Sequence, residues 1–227
     1  MTQMPVKAVL FDLDDTLVDR ESAYNHVYRV FYDTQSAVNE ETSWEEAKEF
    51  FWSLSPFNAT NPRLAILDIK NRWPGVESDP ETHHRFYFDR LLEGMKILPH
   101  VMELLDDLND AGCPWGVVTN GNELQYRKIS AVGLQDKTPF VLASHIFGAD
   151  KPDPSIYHEA MKLLDVPDLP CSQVMFAGDN PYTDIAGAHG VGMRTAWVHM
   201  RREYPGDAPR PDLTISGVHE LRDLLGV

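Results

Sequence analysis

Three carboxylates stand together in Phe11-Asp12-Leu13-Asp14-Asp15-Thr16-Leu17, directly after an apolar, β-branched run. If that run is a strand, Asp12 and Asp14, two residues apart, point to the same side at its carboxyl end. One acid there reads as a cap on the following turn, as Asp and Thr often are, but three exceed what a turn requires. A second cluster, Gly178-Asp179-Asn180-Pro181-Tyr182-Thr183-Asp184, follows the apolar run Val174-Met175-Phe176-Ala177. Gathered in one crevice, Asp12, Asp14, Asp179 and Asp184 repel by roughly 4 kcal/mol per pair at about 4 Å and an effective dielectric of about 20. A cation must sit among them. Hard carboxylate oxygens with no competing His or Cys cluster suit Mg2+, which is the expected cofactor.

Two further segments carry groups suited to an anionic oxygen. Val117-Val118-Thr119-Asn120-Gly121 ends an apolar run with a hydroxyl, an amide and a glycine; alone it reads as an ordinary strand exit. Lys151, in Asp150-Lys151-Pro152-Asp153-Pro154, precedes a helix; in isolation it reads as a solvated surface charge.

The elements that position these residues are short apolar runs at Val6 to Leu13, Trp115 to Thr119, Phe140 to Ala143, Val174 to Ala177 and Thr195 to Val198, with amphipathic stretches between them. That rhythm predicts an α/β fold with βαβ units around a parallel sheet, whose ligands bind beyond the carboxyl ends of the strands. Pro99 opens one helix and Gly112 closes it, while Pro152 and Pro154 precede the next. From Arg20 to about His100 no strand pattern is seen. Helical spacing is expected at Tyr24 to Phe31, Trp44 to Trp52, Arg63 to Arg72 and Thr82 to Leu92, separated by Ser55-Pro56-Phe57-Asn58 and Trp73-Pro74-Gly75. The expected organisation is therefore a catalytic core over 1–19 and 99–227 and an inserted all-helical domain over 20–98. A final strand Leu213 to Ile215 and a helix follow a Pro-rich surface loop.

With 227 residues and 43% hydrophobic content, the chain can bury one sizeable core plus a satellite. Its apolar runs are too short to span a bilayer, and Met1-Thr2-Gln3-Met4-Pro5 lacks the regions of a signal peptide, so no membrane association and a cytoplasmic location are expected. A net charge of -15 argues against a nucleic-acid polymer as partner, though a local cation site can still hold a small phosphorylated molecule. Cys113 and Cys171 match neither a disulfide framework nor a metal-ligand spacing. Whether the chain is a monomer or a homodimer is left open.

The four chemical segments, in this order along nearly the whole chain, resemble the haloacid dehalogenase superfamily of phosphohydrolases: Asp12-Leu13-Asp14-Asp15-Thr16, then Thr119-Asn120, then Lys151-Pro152, then Gly178-Asp179 with Asp184 downstream. The resemblance implies a Rossmann-like core with a helical cap of the phosphoglycolate-phosphatase-like or nucleotidase-like kind. It implies that Asp12 attacks phosphorus and forms an aspartyl phosphate. Asp14 would protonate the leaving oxygen, deprotonate water and lend its backbone carbonyl to the metal. Asp12 and Asp179 would supply metal carboxylates, and Asp184 would orient the metal's waters or Lys151. Thr119, the Asn120 backbone and Lys151 would hold the phosphoryl oxygens. Thr16 is expected to stabilise the turn under Asp12. Asp15 stands where the family more often has glycine and is read as a turn residue.

The implied activity is Mg2+-dependent hydrolysis of a small-molecule phosphate ester. Haloacid dehalogenases in the superfamily do not need an acid at the position of Asp14, whose presence favours phosphate chemistry. A phosphoglucomutase-like isomerase is the other enzymatic alternative, and intact Asp12, Asp14, Lys151 and Asp179 argue against a non-catalytic binding protein. Thr119 to Gln125 looks like the nucleotidase-like members, which tilts the substrate toward a nucleoside monophosphate or flavin mononucleotide, with a sugar phosphate or phosphoglycolate close behind. Arg63, Lys70, Arg72 and Arg85 are candidates for a second anionic group. Adjacent residues on a helix point about 100° apart, so His83-His84 is read as surface rather than as a metal pair.

Overall fold

The apolar runs become the strands of one parallel sheet. In a computed structural model of the chain, which describes residues 5–54 and 61–227, β1 spans Ala8–Phe11 and is buried at every position. The signal-peptide reading of Met1 to Met4 and the turn at Ser55-Pro56-Phe57-Asn58 lie outside the described residues. The two-residue strands β2 (Val18–Asp19) and β3 (Lys96–Ile97) pair with each other where the chain enters and leaves the insert. β3 corrects the expectation of no strand between Arg20 and about His100, since two residues are too few for a period to register. The remaining strands are β4 (Trp115–Thr119), β5 (Val141–Ala143), β6 (Val174–Gly178), β7 (Arg194–Val198) and β8 (Leu213–Ile215).

The six-stranded order is β5-β4-β1-β6-β7-β8, with every pair parallel. Phe11 is registered with Val117 on one side and with Ala177 on the other, so Asp12, Thr119 and Asp179 leave the sheet along one edge. The order also reverses about β1, successive strands running outward first through β4 and β5, then through β6 to β8. Such a reversal opens the crevice where ligands bind. One face is sealed by Leu10, Val118, Ile156, Tyr157, Val174 and Phe176.

Contact density divides the chain into Met1–Asp19 with Ile97–Val227, and Arg20–Lys96. The second unit is helical: α1 (Arg20–Thr34), α2 (Ser36–Asn39), α3 (Trp44–Ser53), α4 (Pro62–Arg72) and α5 (Pro80–Gly94). Its helix starts are written in the sequence. Ser43 and Glu46 form a capping box, while Asn61 and Asp79 cap helices that open with Pro62 and Pro80. The unit is built around aromatic rings, including Phe31, Phe51, Phe86 and Tyr87. His83 belongs to this interior at 4% exposure, its ring 5.2 Å from that of Phe31, which corrects the surface reading. The 100° between neighbours sent one imidazole inward and left His84 half-buried.

The core's helices are α6 (Val101–Asp110), α7 (Leu124–Ala131), α8 (Ser144–Phe147), α9 (Pro154–Leu163), α10 (Ala186–Gly190) and α11 (Arg222–Leu225). A wider helical turn, Pro181–Ile185, runs into α10 and carries Asp184.

Candidate active site

Asp12 leaves β1 with its backbone N–H still donating to the Ala177 carbonyl at 2.9 Å, which fixes its side chain at the sheet edge. The chain then turns sharply. Asp15 takes φ 59°, a left-handed conformation that Asp tolerates better than most residues, and the Leu17 and Val18 N–H groups return to the Leu13 carbonyl. This geometry suits glycine or aspartate at position 15 and accounts for the turn role read from the sequence. Thr16 supports the turn through its backbone N–H, which donates to the Leu13 carbonyl at 3.4 Å, while its buried Oγ1 has no hydrogen-bond partner among the described residues.

Lys151 is the hub. Its buried ammonium donates to Asp12 Oδ1 at 2.7 Å, Asp184 Oδ1 at 2.7 Å and the Val118 carbonyl at 2.8 Å. Burial pulls its pKa down, but Asp12 and Asp184 more than offset this and hold it above the ordinary lysine value. The surface-charge alternative is therefore set aside by geometry. Asp184 also accepts from the Asn180 N–H at 2.9 Å, so both its oxygens are engaged. The close approach explains Gly178, where any Cβ would collide with the Asp184 carboxylate.

Asp12, Asp179 and Asp184 each offer an oxygen within 4.8 Å of the others, and all three are buried. Burial, opposed by Lys151 and reinforced by Asp184 and Asp179, pushes the Asp12 carboxyl above the ordinary aspartate value. Three crowded carboxylates around one fully buried cation are short of positive charge, and their all-oxygen donor set fits a hard divalent ion. Each carboxylate already has partners: Lys151 on Asp12, Lys151 and the Asn180 N–H on Asp184, and Arg202 on Asp179.

Sequence reasoning missed four supporting residues. Lys128 on α7 donates to both oxygens of Asp14, at 2.7 and 2.6 Å, and Gln125 Nε2 bonds Asp14 Oδ2 at 3.2 Å and Thr119 Oγ1. Arg202 donates to Asp179 Oδ2 at 2.8 Å and to the Asp179 carbonyl at 3.2 Å. Ser144 accepts from the Gly121 N–H at 3.0 Å and donates to Asp150, tying the turn after β4 to the segment that carries Lys151. On a helix or loop these polar residues look solvated in sequence, and their partners are far along the chain.

The arginine and lysine candidates of the insert have local roles. Arg63 pairs with Glu81 at 2.6 Å, Lys70 reaches the Ser78 carbonyl, and Arg72 lies over the Phe50 and Trp73 rings. Arg85 is exposed.

The chain is 28% identical to a glyceraldehyde 3-phosphate phosphatase of Pyrococcus abyssi, over 98% of this chain and 93% of the relative. It is 24% identical to the pyrimidine 5′-nucleotidase YjjG of Escherichia coli, over 96% of each. The fold is shared with the Bacillus subtilis hydrolase YfnB, whose structure was solved with magnesium, at a TM-score of 0.77 and 20% identity over 99% of this chain and 100% of that one. With the family model for haloacid dehalogenase-like hydrolases matching residues 6–192, the chain belongs to that family and is one of its phosphatases.

Proposed function

We propose that this phosphatase hydrolyses small phosphate monoesters through an aspartyl phosphate on Asp12, in the presence of Mg2+. The observation that carries the reading is the convergence of Asp12, Lys151, Asp179 and Asp184 at the carboxyl edge of the sheet, with Asp14 two residues after Asp12 and linked to Thr119 through Gln125.

In the first step Asp12 attacks phosphorus; the bond to the leaving oxygen breaks, and that oxygen takes a proton from Asp14. In the second, Asp14 accepts a proton from water as the water oxygen attacks phosphorus and the bond to Asp12 breaks. Lys151, Thr119 and the Asn120 backbone hold the phosphoryl oxygens and balance their charge. Asp12, Asp179 and the Asp14 carbonyl would hold Mg2+, which screens the carboxylates and withdraws charge from the phosphoryl group. Asp184 orients Lys151, as its 2.7 Å contact supports.

The presence of Asp14 favours this chemistry over dehalogenation, which has no leaving alcohol to protonate. The inserted unit Arg20–Lys96 is assigned the role of a substrate-selecting cap. Relatives named for glyceraldehyde 3-phosphate and pyrimidine 5′-nucleotides support a phosphorylated metabolite of that size. A panel of nucleoside monophosphates, flavin mononucleotide, triose and sugar phosphates and phosphoglycolate, assayed with Mg2+ and with chelator, tests the reading. Phosphate release from monophosphates only with Mg2+ is expected. Chloride release from 2-haloacids, or turnover only of sugar phosphates with a bisphosphate activator, would replace it with the dehalogenase or the isomerase.

A further inference from the structure

Gln125 and Lys128 lie one turn apart on α7, and both are buried, although each is a residue type that ordinarily keeps its polar end in water. A buried ammonium is costly unless paired, and the side chains of Lys128 and Asp14 are only 8% and 14% exposed. The pairing is two-pronged, one Nζ to both carboxylate oxygens. Gln125 adds a second support: one amide nitrogen serves Asp14 and the Thr119 hydroxyl together. Gly121 makes room for it, since a Cβ there would stand 2.9 Å from Gln125 Cγ. A buried ion pair adds little stability over an apolar pair of the same shape, so stability alone does not account for this arrangement at the edge of the active crevice.

We propose that Lys128 and Gln125 are positioning residues that hold the Asp14 carboxylate in register with the phosphoryl group bound at Thr119. The inference rests on the assignment of Asp14 as acid and base. Proton transfer demands that the carboxylate stay within hydrogen-bond reach of the leaving oxygen and later of water, so its rotamer has to be held. Lys128 fixes where the carboxylate lies, and Gln125 ties that position to the residue that grips the substrate.

The test compares wild type, Lys128→Met, Lys128→Arg and Gln125→Leu at saturating Mg2+ on a series of aryl and alkyl phosphates, with melting temperature and circular dichroism as folding checks. Lys128→Met is expected to lower kcat on the order of 10- to 100-fold with KM nearly unchanged, the cost of a misplaced proton donor. The loss should grow with the basicity of the leaving group, and with the aryl esters phosphorylated enzyme should accumulate because the water step suffers too. Lys128→Arg should restore part of the rate, and Gln125→Leu should show the same pattern more weakly. If Lys128→Met does not fold, Lys128→Arg and Gln125→Leu carry the decision. Folded variants with the wild-type rate, or with an equal loss across all leaving groups and no phosphorylated enzyme, would overturn the proposal while leaving Asp14 in place if Asp14→Asn is impaired. A wild type without phosphatase activity would overturn both.

Discussion

Asn120 and Lys151 are locked together backbone to side chain. Asn120 Oδ1 accepts from the Lys151 N–H at 2.7 Å, and Asn120 Nδ2 donates to the Lys151 carbonyl at 2.9 Å. The amide of one segment thereby anchors the main chain of another, and the anchored lysine then reaches back to the Val118 carbonyl. Asn120→Ala should therefore loosen Lys151 as well as the turn. The expected result is a stability loss of about 1–2 kcal/mol from unmade hydrogen bonds and a fall in kcat/KM on the order of 10²-fold from misplacement. Denaturant unfolding and steady-state kinetics check it. A variant with lost stability and intact kcat/KM would show that the lock serves only the fold.

Asp14 has two tasks and so two separable losses. Asp14→Asn keeps the backbone carbonyl while removing the acid and base, each worth about 10²- to 10⁴-fold. An aryl phosphate with a good leaving group hardly needs protonation, so rapid-quench kinetics should show a burst of about one product per site followed by slow turnover. An alkyl phosphate should be slow in both steps. Absence of a burst with the aryl ester, in a variant that still binds substrate and metal, would remove Asp14 from the second step.

Arg202 occupies Asp179 from the solvent side, its side chain 44% exposed. A half-exposed pair contributes about 1 kcal/mol or less, so Arg202→Ala should tighten Mg2+ binding by about fivefold at most. Calorimetric titration of the metal-free protein with Mg2+ decides it. Weaker binding in the variant would mean that Arg202 orients Asp179 for the ion instead of competing with it.

His83 makes the helical insert sensitive to acid. Burial, with a smaller effect of His84, depresses its imidazole from 6.5 to about 4, and Nδ1 has no hydrogen-bond partner among the described residues. Between those values the unfolded chain binds a proton that the folded chain refuses, so stability rises with pH across the window and is lost as pH falls from 6.5 toward 4. The full effect is about 3 kcal/mol at 1.36 kcal/mol per unit. Urea unfolding at neutral pH and near the foot of that window should show a smaller acid loss in His83→Phe than in wild type. Equal losses would place the acid sensitivity elsewhere.

The sheet was legible because parallel strands buried on both faces are unbroken apolar runs, and the acids that follow β1 and β6 mark their carboxyl ends. Asp12, Asp179 and Asp184 stood out at those ends, while Thr119 and Lys151 were singled out only by the order of the four segments and the resemblance it carries. Their supporting partners could not: Gln125 and Lys128 look like the solvated face of α7, and Arg202 sits beside a Pro-rich loop. What buries them is pairing with Asp14 and Asp179, contacts between residues far apart in sequence. Thr16 was legible as a turn residue, and it acts there through its backbone N–H beside the left-handed Asp15.

The central claim is that Asp12 carries the phosphoryl group, and trapping that group on the residue tests it most directly. Asp14→Asn enzyme quenched in acid during turnover of an aryl phosphate should yield, on peptide mass spectrometry after borohydride reduction, homoserine at position 12, the mark of an acyl phosphate. Asp12→Asn enzyme, folded and with its Lys151 partner still able to donate to the amide oxygen, should yield neither homoserine nor turnover. Homoserine at another aspartate, or phosphate release near the wild-type rate from folded Asp12→Asn enzyme, would contradict the account.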